Sequence, residues 1–145
     1  MTIKEVKKGL NALLASKYPS IKLYSKAVVE GYKRPCFFTQ LKPISMNNQT
    51  MTTRYNLATF YIEYMQEELN EADMLDKVDE IRNLFGQYVR VGDRAVDVTE
   101  FSFDYVGTDR NILEISLDIE WLDRIEHETN EPTMESLVFS KETEE

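Results

Sequence analysis

The sequence predicts an α+β domain: a mostly antiparallel β-sheet with two α-helices packed on one side. Three observations carry that prediction. Helical periodicity occurs in two separate stretches, Ile3–Leu14 and Met74–Phe85. Long alternating runs fill most of the chain between and after them. The order, helix then strands then helix then strands, does not alternate strand and helix as a parallel sheet requires. At 145 residues the chain fits one domain with a real core. We place that domain at residues 1–126 and read residues 127–145 as an acidic, mobile tail.

The first helix opens on Thr2-Ile3-Lys4-Glu5, a capping box in which a hydroxyl and a carboxylate satisfy the first free N–H groups. Ile3, Val6, Leu10, Leu13 and Leu14 follow at helical spacing, and the helix ends near Ser16–Tyr18, ahead of Pro19. Ile21–Ser25 and Ala27–Glu30 read as short strand pieces around a bend. In "EGYKRPCFFTQLKPIS" (30–45), Pro35 starts a strand over Cys36–Ile44, because proline keeps its predecessor out of the helical region. One of Phe37 and Phe38 is expected in the core. Tyr32, Lys33 and Arg34 then mark an exposed turn.

"SMNNQTMTT" is loop chemistry, and Thr53–Gln66 alternates as a long strand with Ala58, Phe60, Ile62 and Tyr64 on one face. Together they predict an extended hairpin. Asn70 or a neighbour caps the second helix, whose stripe is Met74, Leu75, Val78, Ile81, Leu84 and Phe85, with Gly86 as its stop. Tyr88–Val91 and Ala95–Val98 flank a "GDR" turn. The apolar parity changes between Val98 and Phe101, predicting a bulge near Thr99–Glu100. Finally Leu113, Ile115, Leu117, Ile119 and Trp121 alternate with Glu114, Ser116, Asp118 and Glu120. That is a strand with one face in the core and one lined by carboxylates, facing water or a channel.

Charge is unevenly distributed. Residues 1–56 hold ten Lys or Arg against two Glu, whereas residues 57–126 hold six basic against eighteen acidic side chains. Residues 127–145 add six glutamates against Lys141, for a net charge of −9. Two readings stand. Folding cancels the asymmetry within one subunit, or a basic patch on one copy meets an acidic patch on the next, as in rings and filaments.

The chain offers little toward catalytic chemistry. His127 is the only histidine and Cys36 the only cysteine, so a His/Cys zinc set has no partners to draw on. Cys36, beside two phenylalanines, reads as a small buried hydrophobe rather than a nucleophile. No glycine-rich phosphate loop or nucleophile elbow occurs. Asp73, Asp76, Asp79 and Glu80 describe a solvated helix face. Glu114, Asp118 and Glu120 sit in a row that costs stability, which suggests a face kept negative. No cofactor or metal is expected. Tyr32, Lys33, Arg34, Phe37 and Phe38 mimic a basic-aromatic nucleic-acid surface, but the acidic chain argues against specific nucleic-acid binding. One Cys suggests a reducing compartment. No apolar run reaches the roughly 20 residues that span a bilayer, and no signal peptide is read, so a cytoplasmic product without a membrane is expected.

The segments "KKGLNALLASKYPSIKLYSKAVVEGYKRPCFFTQL", "RYNLATFYIEY", "IRNLFG", "VGDRAVDVTEFSF" and "ILEISLDIEWLD" together resemble the phage tail terminator family of contractile-tailed phages, prophages and phage-tail-like particles. The resemblance covers roughly Met1–Asp123, and "GYKRPCFF" is its most specific piece. It implies a small structural protein, not an enzyme, that forms a hexameric ring on the finished tail tube. Such a ring stops tube and sheath polymerisation and offers a surface to the head-side connector. The partners so implied are further copies, the tube protein, the sheath and the connector. The expected location is the virion tail, with assembly in the host cytoplasm.

Charge and exposure then suggest placements. The first helix and the turn Tyr32, Lys33 and Arg34 of one subunit meet the acidic second helix, with Asp76, Asp79 and Glu80, or the acidic sheet of its neighbour. The loop residues Met46, Asn47, Asn48, Gln49 and Met51 contact tube or sheath. Glu114, Asp118 and Glu120 face the lumen. The alternatives are another head–tail connector or tail-completion protein, a carboxylate- and metal-dependent nuclease, or a cellular binding module that recruits a basic partner through its acidic tail.

Overall fold

The computed structural model describes residues 2–25, 33–107 and 112–125. The proposed strand at Ala27–Glu30, the residue Tyr32 and the 127–145 tail lie outside the described residues. The element order is α1 (Ile3–Lys17), β1 (Lys22–Ser25), β2 (Cys36–Asn48), β3 (Thr53–Met65), α2 (Glu71–Phe85), β4 (Tyr88–Val91), β5 (Arg94–Val106) and β6 (Ile112–Arg124). The six strands form one sheet in the order β1-β2-β3-β6-β5-β4. Among the described residues, only the β1–β2 pairing is parallel. The predicted α+β class with a mostly antiparallel sheet and two helices is therefore the observed one.

Both helices form for the reasons their termini announce. Glu5 N donates to Thr2 Oγ1 while Thr2 N donates to a Glu5 carboxylate oxygen, closing the capping box. Asn70 caps α2 by accepting from Asp73 N, and Gly86 ends it with φ +59°. Val6, Leu10 and Leu14 of α1 join Met74, Ile81 and Phe85 of α2 in a single core against Phe37, Phe60, Ile62, Leu117 and Ile119. Gly9 lets α1 approach β4 closely, since a Cβ there would sit 2.9 Å from Val91 Cγ2. Leu75 departs from the predicted stripe: it is 52% exposed. An apolar arc wider than the sheet-facing side of the helix turns its outermost member to solvent.

Four strands, β2, β3, β5 and β6, are each thirteen residues long and dominate the sheet. The predicted bulge is present, as the β5–β6 register shifts between Val98 and Glu100. A second bulge interrupts β2 between Pro43 and Ser45. β2 enters through a cis Arg34–Pro35 peptide. It runs to Asn48, four residues past the predicted end. Met46, Asn47 and Asn48 pair with Asn56, Tyr55 and Arg54, so cross-strand pairing outweighs the weak strand preference of asparagine.

Phe37 and Phe38 are both buried, where one was expected in the core. Phe37 packs in the core against Tyr18 and Tyr64, at centroid distances of 5.3 and 5.2 Å. Phe38, on the opposite face, stacks on Tyr24 at 5.5 Å. Cys36 is buried, and desolvation pushes its thiol pKa up, away from nucleophilic use.

Candidate assembly surfaces

With the helices on one face of the sheet, the other face is set by strand register. It presents Glu114, Asp118 and Glu120 of β6, as the alternation predicts. Pairing places Asp104, Glu100 and Asp97 of β5 directly opposite them. On the far side of β6, Glu63 of β3 stands opposite Glu114. Directly opposed like charges destabilise a sheet. Part of this cost is offset by donors. Thr59 Oγ1 donates to Asp118 at 2.9 Å, and the Tyr55 hydroxyl donates to Glu120. That bond is the main reason the Tyr55 phenol pKa is raised. Where β4, β5 and β6 meet, a cleft of about 500 Å³ is bordered by Arg90 and Arg94. Arg94 Nη1 caps its edge by donating to Leu122 O at 2.9 Å.

The exposed side of α2 is a second surface. Asp76 and Asp79 point to solvent. Glu80, predicted alongside them, is engaged within its own subunit: the Tyr18 hydroxyl donates to it at 2.6 Å. That bond belongs to a polar network the sequence reading missed. The Tyr64 hydroxyl donates to Asp73 at 2.6 Å, Gln66 Nε2 donates to the same oxygen at 2.9 Å, and Lys77 Nζ lies 3.0 Å from the other oxygen. Lys77 also sits over the Tyr18 and Tyr64 rings, at 5.4 and 5.2 Å from their centroids. The Tyr64 bond is the first cause holding the Asp73 pKa below its ordinary value. Desolvation first, then the carboxylate partner, raises both tyrosine pKa values. The Asp73–Lys77 spacing of four was visible in the sequence; the tyrosines arrive from the residue that follows α1 and from β3 only through folding.

Of the predicted turn, Lys33 and Arg34 are exposed. Lys33 N donates to the Tyr24 hydroxyl at 3.3 Å, and Arg34 Nη1 lies 3.5 Å from Gln66 O, beside the start of α2.

The third surface is the β2–β3 tip. Gln49 and Met51 lie in the turn, as predicted, whereas Met46, Asn47 and Asn48 belong to β2. Thr50 Oγ1 accepts from Thr52 N and Thr53 N, holding the turn, and Met51 stands 72% exposed at its tip. Among the described residues no group of three or more His, Cys, Asp or Glu side chains is arranged to hold a metal ion. No described helix is long and apolar enough to cross a membrane.

These surfaces define the class first: a small α+β domain with helices packed on one sheet face and a broad carboxylate surface on the other. The chain belongs to the phage tail terminator family, whose model, described as "Phage tail terminator protein", matches residues 5–131. It is accordingly a structural protein of tail assembly that interacts with other tail components and resides in the virion tail. A solved structure bearing no functional name shares the fold at TM-score 0.54 and 11% identity, over 88% of this chain and 99% of that one. No curated protein matches the sequence.

Proposed function

We propose that this protein caps the finished tail tube as a ring of six copies, stops further growth of tube and sheath, and offers its free rim for head joining. Its role in this reading is structural, without catalysis. The observation that carries the reading is the face bearing three directly opposed carboxylate pairs, Asp97 with Glu120, Glu100 with Asp118 and Asp104 with Glu114. Such pairing costs stability in a lone subunit. Turned inward, it gives a ring a negative wall along which the phosphates of passing DNA are repelled rather than bound. The exposed Asp76 and Asp79 supply an acidic patch for a neighbour's Lys33 and Arg34. Met51, flexible and exposed, suits contact with the tube or sheath.

The test is negative-stain microscopy of purified tube protein polymerising with and without this protein. Tubes of limited length closed at one end by a ring support the reading. Tubes that grow unchanged and carry no cap refute it. In the same assay Asp76→Lys with Asp79→Lys weakens capping if the charge pairing holds, and caps unaffected by salt or by this variant exclude it.

A further inference from the structure

The sheet has two open edges that match each other. β1 covers β2 only from Cys36 to Thr39, and β4 covers β5 only from Arg94 to Asp97. Among the described residues, Gln40–Asn48 and Glu100–Val106 therefore have a strand partner on one side alone. Unpaired strand edges template pairing with another chain. The two edges also differ in character. The β2 edge carries Lys42 and exposes Ile44 (53%) and Met46 (49%), while the β5 edge carries Glu100 and Asp104 and exposes Phe103 (40%) and Tyr105 (37%).

We infer that the β5 edge of one copy, Glu100–Val106, pairs antiparallel with the β2 edge, Gln40–Asn48, of the next copy. The inference rests on the ring reading and names the contact that builds it. Three features of the register support it. First, β2 and β5 run in opposite directions within the sheet, since each is antiparallel to its inner neighbour and those neighbours, β3 and β6, are antiparallel to each other. A copy brought alongside by rotation, same face outward, therefore meets β5 antiparallel.

Second, the lengths and levels fit. The open part of β2 occupies the eight positions opposite Tyr61 to Arg54 of β3. The open part of β5 occupies seven positions that trace through β6 to Thr59 and onward, one step beyond Tyr64. Aligning them displaces the next copy by about four residues, or about 13 Å along the strands. Four strands advance about 19 Å sideways, so the displacement corresponds to strands tilted by about 35° to the ring axis, a tilt at which closed sheets are built. At that displacement β4 and the neighbour's β1 abut the new pairing without overlapping it.

Third, an even displacement keeps each face on its own side. It sets Asp104 opposite Lys42 and Ser102 opposite Ser45 on the acidic face. On the other face it sets Phe101 opposite Met46 and Tyr105 opposite Leu41. Opposite charges and aromatic–aliphatic pairs are the cross-strand combinations that stabilise sheets. Pro43 and the neighbouring bulge keep the β2 edge from pairing indiscriminately.

The test uses the full chain on tail tubes, with Cys36→Ala removing the native thiol and Ser45→Cys and Ser102→Cys introduced together. Oxidation of capped tubes is expected to link chains into a ladder ending at the ring's own copy number, with no ladder from either single-cysteine variant. Capped tubes that give no ladder overturn the edge pairing while leaving the capping reading intact. Tubes that unmodified protein fails to cap overturn both. Phe103→Lys, at an exposed position, is expected to leave the circular dichroism spectrum of the subunit unchanged and abolish ring formation. Rings of normal abundance from that variant refute the pairing.

Discussion

Replacing Asp97, Glu100 and Asp104 with Asn, Gln and Asn is expected to stabilise the isolated subunit. Each side chain faces a carboxylate directly across the β5–β6 ladder. With Cβ atoms about 5 Å apart, the charges lie about 6 Å from one another, and their repulsion in water is about 0.7 kcal/mol per pair. Three pairs give about 2 kcal/mol at low ionic strength. Screening with a Debye length of about 8 Å reduces this to about 1 kcal/mol at physiological salt. The amides keep the oxygens that accept from Ser102 Oγ at 3.3 Å and from Tyr105 N at 2.8 Å, so the change is mainly one of charge. Urea denaturation of wild type and triple variant, at low and high salt, reads the effect. The midpoint is expected to rise by about 1 M urea at low salt, given an m-value of about 2 kcal/mol/M, and the gap to narrow as salt is added. A variant no more stable than wild type, or a gap indifferent to salt, refutes the claim that this face is held negative against the subunit's own stability.

Three further outcomes follow from the packing. Tyr64→Phe removes a hydrogen bond to a charged carboxylate and is expected to cost about 1.5–3 kcal/mol in urea denaturation at neutral pH. Because the folded pKa of Asp73 is depressed, this contribution is present above the unfolded value of about 4 and lost as pH falls through the folded one. The difference between wild type and Tyr64→Phe therefore shrinks in acid, and one that persists undiminished contradicts the assignment. Gly86→Ala forces a side chain onto φ +59°, ψ −135° and is expected to cost about 1–3 kcal/mol; an unchanged Tm contradicts this. Gly9→Ala drives a Cβ into Val91 at a cost of about 1–3 kcal/mol. Adding Val91→Ala is expected to recover part of that loss, and a strictly additive double variant argues against direct contact.

Much of the local structure was legible because its causes are local. Thr2 and Glu5 announce a helix start through bonds spanning three residues, and Asn70 does the same for α2. The parity change after Val98 announced a bulge, because an extra residue must shift the side-chain alternation. Other features were hidden because their causes are distant. Met46–Asn48 read as a loop on composition, yet Tyr55, Asn56 and Arg54 of β3 hold them in a strand. Glu80 read as a free surface acid until the fold brought Tyr18, 62 residues away in sequence, to its carboxylate. Phe38 read as interchangeable with Phe37, but packing gives each a separate buried place.

By itself, the sequence determined the α+β class, the two helices with their caps, the apolar alternation of β3 and β6 and the row Glu114, Asp118, Glu120. All of these depend on spacings within one element. Only the tertiary structure decided that β6 inserts between β3 and β5. That insertion sets Asp97, Glu100 and Asp104 against the β6 row and, among the described residues, leaves two complementary edges open. Strand neighbours are chosen by how the whole set of apolar faces can be buried together, a choice that no single strand's alternation encodes.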